Sequence, residues 1–171
     1  MLYFKSIRWK NLLSTGNQFT EIQLDKISTT LIVGENGSGK STVLDALCFG
    51  LFSKPFRRIN RPQLINSIND GGLLVEIEFE VGSRSYMVRR GIKKNIFEIF
   101  IDDKRLNQDA KTADQQEYLE KTILKLNYKS FTQIVLLGAN HYIPFMQLKS
   151  TDRRTIIEDL LDIQIFSVMN G

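Results

Sequence analysis

The stretch Gly34-Glu35-Asn36-Gly37-Ser38-Gly39-Lys40-Ser41 constrains this chain more than any other. It fits G-x-x-x-x-G-K-[ST] and lies between a short apolar run, residues 29–33 (TTLIV), and a segment where Val43, Leu44, Leu47, Cys48 and Leu51 recur at helical spacing. Strand, glycine-rich loop, helix is the context that identifies a phosphate cradle. Gly37 and Gly39 let the backbone curl so that successive amides point inward, and the positive end of the following helix attracts the anion. The pattern assigns Gly34, Glu35, Asn36, Gly37, Ser38 and Gly39 to the nucleotide phosphates. Lys40 becomes the catalytic cation at the β- and γ-phosphates, the Ser41 hydroxyl a Mg²⁺ ligand, and Thr42 a partner of the α-phosphate.

Around this core the chain reads as one continuous α/β folding unit. Its 171 residues are 42% hydrophobic and 25% charged, which excludes a disordered or collagen-like segment. A single Cys, on the apolar stripe of the helix, excludes a disulfide framework and fits a reducing, cytoplasmic setting. His141 is the only histidine, so multi-His metal sites are excluded as well. No apolar run reaches the roughly 20 residues of a membrane span, and the first residues alternate rather than form a signal core.

Residues 2–9 and 19–24 read as strands joined by a polar turn, and residues 29–33 as a buried strand feeding the loop. Residues 74–81 (LVEIEFEV) alternate strictly, which places Glu76, Glu78 and Glu80 on a solvated face and Val75, Ile77, Phe79 and Val81 inward. Residues 86–90 and 96–101 continue an antiparallel meander, closed by a turn at Asp102-Asp103-Lys104. Thr112 and Gln115 form a capping box ahead of a helix with Leu119, Ile123 and Leu126 inward. Residues 134–137 read as a buried strand, and Ser150 to Asp152 offer caps for a last helix through Leu161.

The net charge of +4 is distributed unevenly. Residues 53–61 hold Lys54, Arg57, Arg58 and Arg61, and residues 84–94 hold Arg84, Arg89, Arg90, Lys93 and Lys94, neither with an acid. Both are candidate phosphate-contacting surfaces for nucleic acid, set against the plainer reading of solvated loops and strand faces. A self-contained hydrolase of this class also needs an apolar strand ending in Asp. The nearest imitation is IFEIFIDD at residues 96–103, so a kinase-like or GTPase-like enzyme with Asp102 as that acid is the alternative reading.

The wording GENGSGKST, preceded by a two-stranded start ending in Lys10-Asn11-Leu12, resembles the amino-terminal lobe of SMC-like ABC ATPases. The block FTQIVLLGANHYIPF begins at Phe131, far beyond Lys40, a separation similar to that of the SMC-like group rather than of transporter-type domains. Within the group, GLFSKPFRR, QLINS, LLVE, FEI, QIVLLG, YIPFM and RRTIIEDLL follow in the order of the SbcC and Rad-fifty family, in the manner of its T-even-type phage branch.

That resemblance implies an α/β P-loop NTPase fold, the amino-terminal half of an ABC-ATPase head, with a mixed sheet and an antiparallel meander around the loop's helix. It implies residues 1–162 as the lobe and 163–171 as the start of a coiled-coil helix. It further implies ATP with Mg²⁺, a carboxy-terminal ATPase lobe carrying the remaining motifs, and a second head that dimerises on ATP. A Mre-type nuclease and double-stranded DNA complete the expected partners, with no membrane. At the loop where the family carries glutamine, this chain has Gly138-Ala139-Asn140-His141, so Asn140 or His141 is the candidate substitute for that residue, set against the plainer reading of a loop histidine with no catalytic part. With this resemblance, Lys54, Arg57, Arg58, Arg61, Lys93 and Lys94 become DNA-contact candidates. Reversing Arg57 and Arg58 is then expected to weaken duplex binding and flatten its salt dependence; affinity unchanged across salt would remove the assignment.

Overall fold

The computed structural model describes residues 2–27, 29–69, 71–106, 112–136 and 143–161. The chain divides into two compact units, Met1–Thr112 and Ala113–Gly171.

The first unit is built on a six-stranded sheet in the order β2-β1-β3-β4-β5-β6. Its strands are β1 (Leu2–Lys10), β2 (Thr20–Gln23), β3 (Leu74–Val81), β4 (Arg84–Gly91), β5 (Phe97–Ile101) and β6 (Lys104–Arg105). All of these pairings are antiparallel. The period-2 pattern places Ile7, Ile77, Val88 and Ile99 side by side across the central strands, each at most 2% exposed. Helix α1 (Thr42–Phe52) covers Val75 and Ile77 on this face. The approach is close because of Gly50: a Cβ there would lie 2.4 Å from Ile77 Cδ1. The helix ends on Ser53 in the left-handed region, whose N–H donates to Phe49 O at 2.9 Å.

The opposite face of the sheet differs from expectation at Glu76, which is 4% exposed. Register explains it, because Glu76 on β3 stands between Arg8 on β1 and Arg89 on β4. Both guanidiniums reach its carboxylate, Arg89 Nε at 2.7 Å, and their stems cover it. Arg89 also faces Glu98 at 3.6 Å, and Arg105 meets Glu98 at 3.0 Å. With Glu21 opposite Arg8, charges alternate from one edge of the sheet to the other.

Residues 29–33, expected as a buried strand, form no strand and are exposed, Leu31 at 85% and Val33 at 81%. Among the described residues nothing pairs with them, so their β-propensity has no ladder to join.

In the second unit, α2 (Thr112–Tyr118) runs into a π-helical turn, Leu119–Leu124, followed by α3 (Tyr128–Ile134) and α4 (Ser150–Leu161). The wider turn shifts the inward stripe to Leu119, Ile123 and Leu124, in place of Leu126. Of residues 134–137, expected as a strand, Ile134 is the last residue of α3 and Val135 and Leu136 follow it, while Leu137 lies outside the described residues. Asn127 caps the start of that helix, its side chain accepting from Ser130 N–H at 3.0 Å. The Asp159 carboxylate ties α4 to α3, accepting from Ser130 Oγ and from Asn127 Nδ2 at 2.6 Å. Residues 163–171, expected to begin a coiled coil, lie outside the described residues.

Cys48 is fully buried in α1, and burial, aided by the nearby Asp45 charge, pushes its thiol well above the ordinary range. Thiol reagents should leave the native chain unlabelled at neutral pH and label it once urea unfolds it. The folded chain keeps a proton that the unfolded chain loses above about pH 8.5, so this group withdraws stability as pH rises past that point. Gly50→Ala should lower the urea midpoint by the equivalent of about 1–3 kcal/mol, since its methyl must displace Ile77.

Candidate nucleotide-binding site

The loop from Gly34 to Ser41 curls at Gly37 (φ +87°) and Gly39 (φ +91°), a left-handed geometry that glycine adopts without cost. It enters α1 at Ser41, whose side chain makes no cap bond to the helix. Ser41 and Thr42 line the loop's cleft at the start of the helix, where the positive end of the helix dipole favours an anion. Lys40 Nζ donates to the carbonyls of Gly34 and Glu35, each at 2.7 Å. The ammonium is thus centred on its own loop, and Ser38 N–H donates to Glu35 O at 3.2 Å, closing the turn.

The cleft has a volume of about 390 Å³ and is lined by Leu13, Ser14, Asn36, Gly37, Gly39, Lys40, Ser41, Thr42 and Arg57. Of the sequence-assigned residues, Asn36, Gly37, Gly39, Lys40, Ser41 and Thr42 come together on its wall, while Gly34 and Glu35 serve through their carbonyls. No carboxylate stands among the lining residues. Ser41 supplies a hydroxyl oxygen for a cation, which suits Mg²⁺, an ion that takes few protein ligands and fills its shell with phosphate and water.

Arg57, reached from sequence as a DNA contact, is brought to this cleft by Asp45 in the first turn of α1. Asp45 is 1% exposed. Its Oδ1 accepts from the Phe56 and Arg57 backbone amides at 3.1 Å, and its Oδ2 meets Arg57 Nε and Nη2, each at 2.7 Å. The chain leaving α1 is thereby folded back onto the helix's own start. The sequence signal for it was an acid in an otherwise apolar helix.

The remaining basic candidates are scattered. Arg58, Lys93 and Lys94 are exposed, and Lys54 is exposed within the loop after α1. Arg61 lies over the Phe49 ring at 5.8 Å. Arg89 belongs to the charge row of the sheet. Arg90 is 3% exposed, stacked 3.7 Å from the Phe97 ring centre and donating to Gly50 O at 2.8 Å. Asp102 occupies the β5–β6 turn at φ +49°, its carboxylate accepting from Ser85 N–H at 3.0 Å. It does not line the cleft, so nothing in the geometry favours it as a catalytic acid. Asn140 and His141 lie outside the described residues.

A second cleft adjoins the first through shared residues, Leu13 and Ser14. It is larger, about 720 Å³, and Pro62, Gln63, Ile65, Asn66, Ser67 and Ile68 complete its lining. Neither Leu13 nor this loop stood out as a site in the sequence. The one available signal was the Lys10-Asn11-Leu12 start.

Residues 6–165 match the AAA domain family. The chain is 47% identical over 164 residues to exonuclease subunit 2 of Escherichia phage RB69, covering 96% of this chain and 29% of that protein. It is 26% identical to the DNA double-strand break repair Rad50 ATPase of Thermoplasma volcanium, covering 95% of this chain and 18% of that one. It therefore spans less than a third of the length of these relatives. Among solved structures, the Smc head domain with a coiled coil and joint from Pyrococcus yayanosii superposes with a TM-score of 0.68 at 20% identity, over 99% of this chain and 34% of that one, a likeness of fold.

Asp45→Ala leaves the Phe56 and Arg57 amides without their acceptor, while the half-exposed Arg57 side chain can rehydrate. The expected loss is about 2–3 kcal/mol in urea unfolding, with proteolytic nicking after α1 faster than in the parent chain.

Proposed function

The chain belongs to the AAA domain family, and on that premise we propose that it is the ATP-binding amino-terminal lobe of a DNA double-strand-break repair and recombination ATPase of SbcC and Rad50 type. The observation that carries this reading is the glycine-rich loop opening onto the start of a buried helix, with Lys40, Arg57 and an uncapped Ser41 around one cleft. Phosphates in that loop are met by first-turn amides, by the Lys40 ammonium and by the Arg57 guanidinium. Thr42, 2% exposed at the first helical position, orients the phosphate nearest the helix. The nucleoside extends along Leu13 and Ser14 toward the second cleft. A bound Mg²⁺ would neutralise charge on the β- and γ-oxygens, with Ser41 as its protein ligand.

The lobe does not carry hydrolysis by itself. Positioning alone leaves the attacking water without a base and the transferring phosphoryl without an opposing donor. These groups come from a carboxy-terminal lobe and from a second head brought in by ATP. Exposed Leu31 and Val33 next to the loop support the first of these partners, since an apolar run that pairs with none of the described residues is suited to pairing with an added strand. ATP-driven association of two heads then governs a partner nuclease and its access to duplex DNA. Asn140 and His141 remain the proposed stand-ins at the family's glutamine position.

Titrated with ATP and Mg²⁺, the chain alone should bind weakly and turn over almost none; robust hydrolysis without an added lobe would reject the half-site reading. Lys40→Ala should abolish binding. For DNA, Arg58 and Lys94 are the cleaner probes because Arg57 is committed to the cleft. Charge reversal at both should lower duplex affinity and reduce the slope of log affinity against log salt by about 1 per lost phosphate contact.

A further inference from the structure

The two clefts meet at Leu13, and Leu13 is held in an unfavourable conformation. Its φ of +53° lies in the left-handed region, which a bulky side chain avoids. Its N–H donates to Leu64 O at 2.7 Å, and the neighbouring Leu12 pairs with Ile65 in an isolated bridge. Strain of this kind persists only where the surroundings over-determine it.

The surroundings here are a network centred on Asn11. That residue is 1% exposed, also at φ +53°, a region asparagine tolerates. Its Nδ2 donates to Asn17 Oδ1 at 3.0 Å and to Gly72 O at 3.2 Å, and its Oδ1 accepts from Asn69 Nδ2 at 3.3 Å. Its backbone N–H donates to Gly16 O at 2.8 Å, and its carbonyl accepts from Asn66 N–H at 2.9 Å. Asn66, itself buried, donates to Thr15 O at 3.1 Å and accepts from the Ile68 and Asn69 amides at 2.9 Å. The turn after β1, the loop at residues 62–69 and Gly72 are thereby zipped into one wall, and that wall supplies Leu13, Ser14, Ile65 and Ile68 to the clefts.

We propose that Asn11 is a positioning residue for nucleotide: its buried amide holds Leu13 at the seam of the two clefts, so affinity for the nucleoside depends on a side chain that touches no nucleotide. This deepens the ATP-binding reading above and rests on it. The phosphate loop is bonded to itself through Lys40 and Ser38, so releasing the wall leaves the cradle standing and affects what lies beyond it.

The test is a titration of the chain with a fluorescent ATP analogue, with inorganic tripolyphosphate as a competitor that has phosphates and no nucleoside. Asn11→Gly keeps the left-handed backbone and removes the amide. Asn17→Ala with Asn69→Ala cuts the same network at its exposed ends, should Asn11→Gly not fold. Either variant is expected to bind the ATP analogue about tenfold more weakly (~1.4 kcal/mol), with tripolyphosphate competition unchanged. Equal weakening of both probes, or of neither, overturns the positioning role while leaving the ATP-binding reading intact. A parent chain that binds neither probe overturns both.

Discussion

Everything around the phosphate cleft depends on how helix α1 is seated. Gly50 lets it lie directly on Ile77 and Val75, and each end is then completed from elsewhere in the chain. At the carboxy-terminal end, where no basic residue occurs in the last turn, Arg90 reaches from β4 to the Gly50 carbonyl. A cation there complements the helix dipole, and its guanidinium stacks on the Phe97 ring. At the amino-terminal end, Asp45 draws the returning chain back so that Arg57 stands at the cleft. One end is closed by protein and the other left open to an anion, and the loop's chemistry depends on that asymmetry.

The same economy governs the sheet. Glu21, Arg8, Glu76, Arg89, Glu98 and Arg105 succeed one another across its open face, each acid beside a base on the neighbouring strand. Cross-strand pairs of opposite charge stabilise the register, and a slip of one residue would bring like faces into conflict. The row also uses up much of what reads, along the chain, as a basic stretch. Arg89 serves Glu76 and Glu98, and Arg90 serves α1. Arg84 at the start of β4 and Lys93 and Lys94 at the β4–β5 turn are the cations of that stretch at the surface.

The loop and its helix were legible because their signal is local: glycines fix the curl, and the apolar spacing after Ser41 fixes the helix. The meander was legible for the same reason, since alternation in residues 74–81 needs no knowledge of neighbours to predict a strand. The features that were not legible are set by pairing at long range. Glu76 looked solvated because Arg8 and Arg89 are far from it in sequence, and Arg57 looked like a surface charge because only the fold brings it back to Asp45. Residues 29–33 and Ile134 show the converse. Short apolar runs have strand propensity, but a strand also needs a ladder, and Ile134 is the last residue of the helix that starts at Asn127.

The exposed run before the loop and the closed state of the loop are physically connected. Lys40 is bonded to the Gly34 and Glu35 carbonyls, and Gly34 directly succeeds the bare residues 29–33. Phosphates entering the cleft compete for the same ammonium, because a charged oxygen is a stronger acceptor than a peptide carbonyl. Whatever the ammonium gives up is backbone at the end of a segment that pairs with none of the described residues. A carbonyl released there must find another donor, and a strand added alongside residues 29–33 would be placed to offer one. Occupancy of the cleft and pairing of that segment thus bear on the same few backbone groups, a physical reason for a phosphate in the cleft to change what residues 29–33 can pair with.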